Sequence, residues 1–253
     1  MMVWRLAPGA AFLVVLGLVA GRWAPLDRAD RAASAQVLAF GREQPAWVTT
    51  MRLVTDAGAT ISFVAAGITL AVVLVILRAY AAAAATALVV ALVPVLWGVL
   101  HATLHRPRPV DGFLTIESNG FPSGHTANAT ALVLLAVFLL RGRRWWAGAV
   151  AAAVLFAVLI GVSRVALLAH WPSDVVGGWL LALAVVPLVM WAVPGAGHAR
   201  MRSWTARRSA RSSTPPSSSR VVRATNPATG TASGHQPPRG GRTQVPYQYR
   251  GTL

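Results

Sequence analysis

The sequence predicts an all-α, polytopic membrane protein. Six transmembrane helices form a bundle over residues 1–195, and a disordered Arg/Ser/Pro-rich tail follows over residues 196–253. Three observations predict this. The 253-residue chain is 55% hydrophobic with a mean hydropathy of +0.57, more apolar than ordinary soluble domains. Its apolar residues lie in long blocks with few charges, and about 18 or more such residues in a row suit a helix that crosses a bilayer. From about Gly195 onward Ser, Thr, Pro, Gly and Arg dominate and apolar periodicity stops, a composition that cannot bury a core.

The spans follow in order. The first is expected over Pro8–Ala24, the second over Gly58–Arg78, the third over Tyr80–Leu104. The fourth, Ala127–Leu140, is short unless it extends at one end; the fifth is Trp145–Val162 and the sixth Asp174–Val193. Pro94 and Pro187 fall inside spans, which a bilayer tolerates because neighbouring helices satisfy the freed backbone groups. Between the first two spans, Pro25–Ala57 alternates charges of both signs with apolar residues. That pattern suits either an interfacial helix lying along the membrane or a plain connecting loop.

Charge sets the orientation. All 23 basic residues are arginine; thirteen precede residue 200 together with all seven acids, and ten lie in Arg200–Arg250 with none. On a chain this apolar, the excess reads as membrane orientation and contact with anionic lipid rather than nucleic-acid binding. "RGRRWW" after the fourth span marks a cytoplasmic loop, and the arginine-rich tail belongs on the same side. Six spans, with the first uncleaved, satisfy both and place the two termini in the cytoplasm. The absence of cysteine excludes disulfides, thiolate metal sites and cysteine nucleophiles.

Span parity then puts two loops together on the extracytoplasmic side. One reads "HATLHRPRPVDGFLTIESNGFPSGHTANAT", the other "SRVALLAHWPSD"; four of the six histidines lie in them, with Arg106, Arg108, Arg164 and Asp174. Ionisable residues at the edge of a membrane are functional candidates because burying them is expensive. Arginine offers a planar fork of donors that fits phosphate oxygens. Ser123, Gly124 and His125 stand where the fourth helix begins, and helix N-termini bind anions. Two histidines can divide phosphoryl transfer, one attacking phosphorus and one protonating the leaving oxygen. Asp174, four residues after His170, can fix that ring's tautomer.

These residues resemble a known family. "RP" at Arg108–Pro109, "PSGH" at Pro122–His125, and "SR" at Ser163–Arg164 followed by His170 and Asp174 look like the three signature motifs of the type 2 phosphatidic acid phosphatases. The resemblance covers roughly residues 1–195. It implies metal-independent hydrolysis of a lipid phosphate or diphosphate, without a cofactor. His170 would be the nucleophile, Asp174 its orienting partner and His125 the general acid. Arg108, Arg164, Ser123 and Gly124 would bind the phosphate oxygens. One position departs from the family pattern: His101 stands seven residues before Arg108, where lysine is usual. His101 is expected to bind phosphate as imidazolium or neutral donor, with activity biased to lower pH.

An arginine-only, alanine-rich composition fits a high-GC bacterium, which makes undecaprenyl diphosphate the leading substrate, ahead of phosphatidic acid and phosphatidylglycerol phosphate. The expected partners are the lipid phosphate substrate and membrane lipids, with no nucleic acid. Rival readings are a zinc hydrolase using His101 and His105, a vanadate-dependent haloperoxidase sharing the phosphate-type pocket, and a transporter or scaffold with a relic site. His105, Asp111, Glu117 and Asn119 read as structural or loop polarity, Arg106 as added positive potential, and Trp145, Trp146, Trp171, Trp179 and Trp191 as interfacial belt residues.

Overall fold

The computed structural model describes residues 3–196. Eight α-helices, and no strand, account for the regular structure of those residues: α1 Val3–Ala20, α2 Ala24–Glu43, α3 Pro45–Asp56, α4 Thr60–Ile76, α5 Tyr80–Thr103, α6 Gly124–Leu139, α7 Trp146–Ala166 and α8 Pro172–Ala192. The expected spans match α1, α4, α5, α6, α7 and α8 to within a few residues at most ends. The tail expected to be disordered lies, from residue 197 on, outside the described residues.

Length and apolarity separate these helices. Four helical stretches are long and apolar enough to cross a membrane: Pro45–Ile76, α5, α7 and α8. A fifth counts if α1 and α2, bent by 88° at their junction, form one broken span. The fourth expected span, α6, has only 16 residues and falls among the shorter apolar helices. It gains one turn over its expected start because Ser123, in extended conformation, serves as its N-cap. The outward faces of the long helices are apolar: Ile61 and Ile76 of α4 are 80% and 73% exposed. In water such a surface would be an aggregation liability, whereas hydrocarbon suits it.

The segment 25–57 resolves the choice left by its sequence. It forms two helices, α2 and α3, with a proline in the first turn of each, where the missing N–H costs nothing. The α2 helix turns sharply away from α1 and buries a polar, small-residue stripe of Asp30, Ser34 and Gly41 while exposing Phe40.

At the centre, α8 packs most extensively against α6 and α1, and α6 also rests on α7. Close approach of α8 to the start of α6 depends on paired glycines. A Cβ on Gly178 would sit 2.6 Å from the Ser123 carbonyl oxygen, and one on Gly177 would sit 2.5 Å from the Phe121 ring. The core beneath is formed by Phe12, Phe63, Val89, Val93, Phe121, Leu135 and Val186, among others. Phe121 is fully buried and stacks on Phe12 of α1 with centroids 6.2 Å apart, which anchors the PSGH loop to the bundle.

Candidate active site

The polar groups converge at one end of the bundle, where the α5–α6 loop, the α7–α8 turn and the start of α6 meet. Ser123 is completely buried and its N–H donates to the Asp174 carbonyl at 3.0 Å, so the PSGH loop is tied directly to α8. The first intrahelical bond of α6 runs from Ala127 N–H to Ser123 O. The N–H groups of Gly124, His125 and Thr126 therefore precede the helix ladder, the arrangement that receives anions. The Ser123 hydroxyl accepts from Thr126 Oγ1 at 2.9 Å. Gly124 has a second reason to be glycine: a Cβ there would lie 2.9 Å from the Trp97 indole, whose Nε1 donates to the Pro122 carbonyl.

His170 is 2% exposed. Its Nδ1 lies 2.7 Å from the Gly120 carbonyl, which can only accept, so Nδ1 carries the proton and Nε2 keeps its lone pair. That Nε2 faces Arg108 Nη1 at 3.0 Å. Asp174 was expected to fix the ring; its Oδ2 stands 3.5 Å from Nδ1. The primary hydrogen bond thus belongs to Gly120, with Asp174 a nearby countercharge. Burial pushes the His170 imidazole down to about 4, against the upward pull of Asp174, and the charges of Arg108 and Arg164 push the same way as burial. The ring is therefore neutral at pH 7, as a nucleophile must be.

Arg108 is held by the Ser118 carbonyl (2.9 Å), the Ser118 hydroxyl (3.1 Å) and the Ala169 carbonyl. Arg164, 4% exposed, reaches from the last turn of α7 to Thr55 Oγ1 at 2.8 Å, while its Nε–H has no partner. His125 is partly buried and lies within electrostatic reach of Arg164, His170 and Arg108. His101 stacks on Trp97 with centroids 4.8 Å apart, and its Nδ1 is buried without a partner. Only four buried side-chain polar atoms lack a partner among the described residues, and His101 and Arg164 supply two of them.

All eight residues expected at the site thus belong to this end of the bundle. Two other expectations change. His101 and His105 do not share a helix face, because α5 ends at Thr103; the zinc spacing is broken, and among the described residues no three His, Asp or Glu side chains gather at ligating distances. Arg106 is not a free source of positive potential. It lies between two buried carboxylates, 2.5 Å from Asp174 Oδ1 and 2.6 Å from Asp30 Oδ2. Asp30 and Trp97 were missed. For Trp97 a signal existed, since it stands four residues before His101 on one helix. For Asp30 nothing distinguished it from the other charges of its segment. Asn119, read as loop polarity, donates to the His101 carbonyl at 2.7 Å, and Trp171 donates to the Pro107 carbonyl.

A cavity of about 530 Å³ opens beside the cluster, reaching Arg108 and Trp171 and bordered by Arg22, Asp27, Arg31 and His105. A second, apolar cavity of about 540 Å³ lies between α2, α7 and α8, bordered by Phe40, Trp47, Val165 and Trp179.

A bundle of apolar helices thus carries an arginine- and histidine-rich cluster at one end. Residues 81–197 match the family described as the PAP2 superfamily, in line with the resemblance to the type 2 phosphatidic acid phosphatases read from the sequence. The fold of the chain is similar to the crystal structure of a transmembrane PAP2-type phosphatidylglycerolphosphate phosphatase from Bacillus subtilis. The TM-score is 0.67 at 26% identity, over 74% of this chain and 94% of that one. No curated protein matches the chain significantly.

Proposed function

We propose that this protein hydrolyses a lipid phosphate or diphosphate through a phospho-histidine on His170. The observation that carries the reading is the His170 ring, proton-bearing at Nδ1 toward Gly120 and free at Nε2, set against Arg108 and near the unpaired Nε–H of Arg164.

The steps follow from that geometry. A substrate phosphoryl group enters among Arg108, Arg164 and the N–H groups at the start of α6, with Ser123 and Gly124 lining its oxygens. Its oxygens take over the Arg108 hydrogen bond otherwise directed at Nε2. The Nε2 lone pair attacks phosphorus, the N–P bond forms and the bond from phosphorus to the lipid-side oxygen breaks. His125, protonated once the negative phosphoryl group offsets the neighbouring arginine charges, gives its proton to that oxygen. Positive charge grows on the His170 ring, and the Gly120 carbonyl and the Asp174 carboxylate stabilise it. Water then attacks phosphorus, giving its proton back to His125, and the N–P bond breaks to release phosphate. His101 supplies a further donor at the rim of the phosphate site. No step calls for a metal.

We place undecaprenyl diphosphate first among substrates. Phosphatidylglycerol phosphate has the support of the Bacillus subtilis neighbour, which acts on that lipid. Phosphatidic acid is the third. We further place six spans in the membrane, with α6 as the short fourth, the site on the extracytoplasmic face and both termini inside. The short α6 is compatible with this because α8 and α7 flank it.

The test is phosphate release by purified protein across these three lipids. Wild type should favour one of them and form an acid-labile phospho-enzyme. His170→Ala should lose both activities by at least about 10⁴-fold. Equal release by that variant would sink the mechanism.

A further inference from the structure

We infer that Asp30 and Arg106 form a positioning unit through which the α2 helix sets the Asp174–His170 geometry. The inference rests on the phosphatase reading above and names residues that the motifs do not include.

The contacts form one closed network. Asp30 Oδ1 accepts from the Ser173 N–H at 3.0 Å, and its Oδ2 accepts from the Ser173 hydroxyl at 2.5 Å and from Arg106 Nη2 at 2.6 Å. Arg106 Nη1 donates to Ser173 Oγ at 2.8 Å and to Asp174 Oδ1 at 2.5 Å. Asp174 Oδ2 accepts from the Trp171 N–H at 2.9 Å and faces His170 Nδ1. Both carboxylates are buried, Asp30 to 3% exposure and Asp174 to 0%. Asp27 lies 4.0 Å from the same guanidinium, at the edge of the network.

This arrangement is costly unless each member is held. A buried carboxylate requires a countercharge and filled lone pairs. Asp30 lies 76 residues before Arg106 and 143 before Ser173, on a helix that is otherwise amphipathic, yet it turns its charge inward. The Arg106 guanidinium donates to Ser173, Asp174 and Asp30, while its backbone carbonyl accepts from the Gly120 N–H at 2.8 Å. It acts on the reaction through Asp174. With Oδ1 fixed by Arg106 and Oδ2 fixed by the Trp171 N–H, the carboxylate plane cannot rotate, and its negative charge stays 3.5 Å from His170 Nδ1. The same Asp30 carboxylate pins Ser173 at the first turn of α8, which fixes where Asp174 starts. Seating of α2 is thereby transmitted to the ring that attacks phosphorus.

The experiment compares Asp30→Asn, Arg106→Lys, Arg106→Gln and the Asp30→Asn/Arg106→Gln pair with wild type, on whichever of the three lipids wild type hydrolyses best. Positioning losses of this kind run at about 10–100-fold. Arg106→Gln should lower kcat about 100-fold and Asp30→Asn about 10-fold, with KM and the inhibition constant for orthovanadate unchanged within about threefold. Arg106→Lys should recover part of the loss. The pair should be no worse than Arg106→Gln alone, because the two act as one unit. Wild-type kcat in monodisperse Asp30→Asn and Arg106→Gln overturns the inference and leaves the phosphatase reading standing. So does a matching loss of orthovanadate affinity, which would make Arg106 a phosphate ligand. If Arg106→Gln does not fold, Asp30→Asn and Ser173→Ala, read the same way, decide it. Wild type that releases no phosphate fells the function and this inference together.

Discussion

Arginine has opposite fates at the two ends of this bundle. At one end Arg106, Arg108 and Arg164 are withdrawn from solvent and engaged by Asp30, Asp174, Ser118, Ala169 and Thr55. At the other end Arg78, Arg141, Arg143 and Arg144 are exposed, and their guanidinium groups have no hydrogen-bond or ion-pair partner among the described residues. The residue is the same, and its environment decides what it does. A buried guanidinium has a fixed direction and a strong local field, so it recognises one oxygen among many. An exposed one contributes a screened, direction-free charge, which suffices for orientation in a membrane and little else.

The comparison breaks most easily at Arg164. It is the most deeply buried of the three, and its Nε–H is the unmet donor of the cluster. Arg164→Gln keeps a group able to reach Thr55 and removes the charge. It should lower kcat/KM by about 10²–10³-fold, the usual scale for deleting one preorganised donor from an anion site. Phosphate release by the variant checks this. A loss under fivefold would put Arg164 in the same class as the exposed arginines.

The same contrast explains what the sequence made legible. The helices were readable because a bilayer forces long apolar runs; α5 and α8 follow the expected spans to within about two residues, while α7 runs one turn further, through Ser163 and Arg164. His170, Asp174 and Arg164 were readable because one short segment carries all three with fixed spacing. The Gly120 carbonyl was not, since any residue supplies a carbonyl and only the fold says which one meets the ring. Arg106 and Arg108 were two residues apart and chemically identical; only the partners on α2 and α8 separate them. Asp30 was hidden for the opposite reason. In a segment where charges of both signs alternate, its inward direction depends on where α2 docks, and no local pattern encodes that.

A smaller effect sharpens the electrostatic side. His170 titrates at about 4 because burial and the arginine charges disfavour its protonated form, while Asp174 favours it. Its folded pKa lies below the reference value near 6.5, so the neutral, nucleophilic ring persists down to about pH 4 and is lost below it. The acid limb of kcat/KM should therefore show no inflection from His170 between pH 5 and 6.5. His101 supplies the contrasting case. If it binds phosphate as imidazolium, wild-type activity declines above its pKa and His101→Lys should extend activity by at least one pH unit to the alkaline side, with kcat at low pH within about threefold. An unchanged pH–rate profile in that variant would rule out His101 as a phosphate-binding imidazolium.

The smallest effect is expected at the other end of the bundle. Arg143 is exposed and lies in the α6–α7 turn, so replacing it removes one charge of several and no positioned contact. Surface substitutions of this kind shift stability by about 0.5 kcal/mol or less. Because the chain has no cysteine, Arg143→Cys and the exposed Glu117→Cys each carry a single thiol and report their side of the membrane directly. Both variants should keep activity within about twofold of wild type, in line with the small effect of surface changes. In intact cells a membrane-impermeant maleimide should label Glu117→Cys and leave Arg143→Cys unlabelled until the membrane is opened. Labelling of both in intact cells would place the exposed arginines outside and contradict their role in orientation. Loss of activity in Arg143→Cys would show that an unpartnered arginine can still matter to the chemistry, and the division between the two ends would no longer hold.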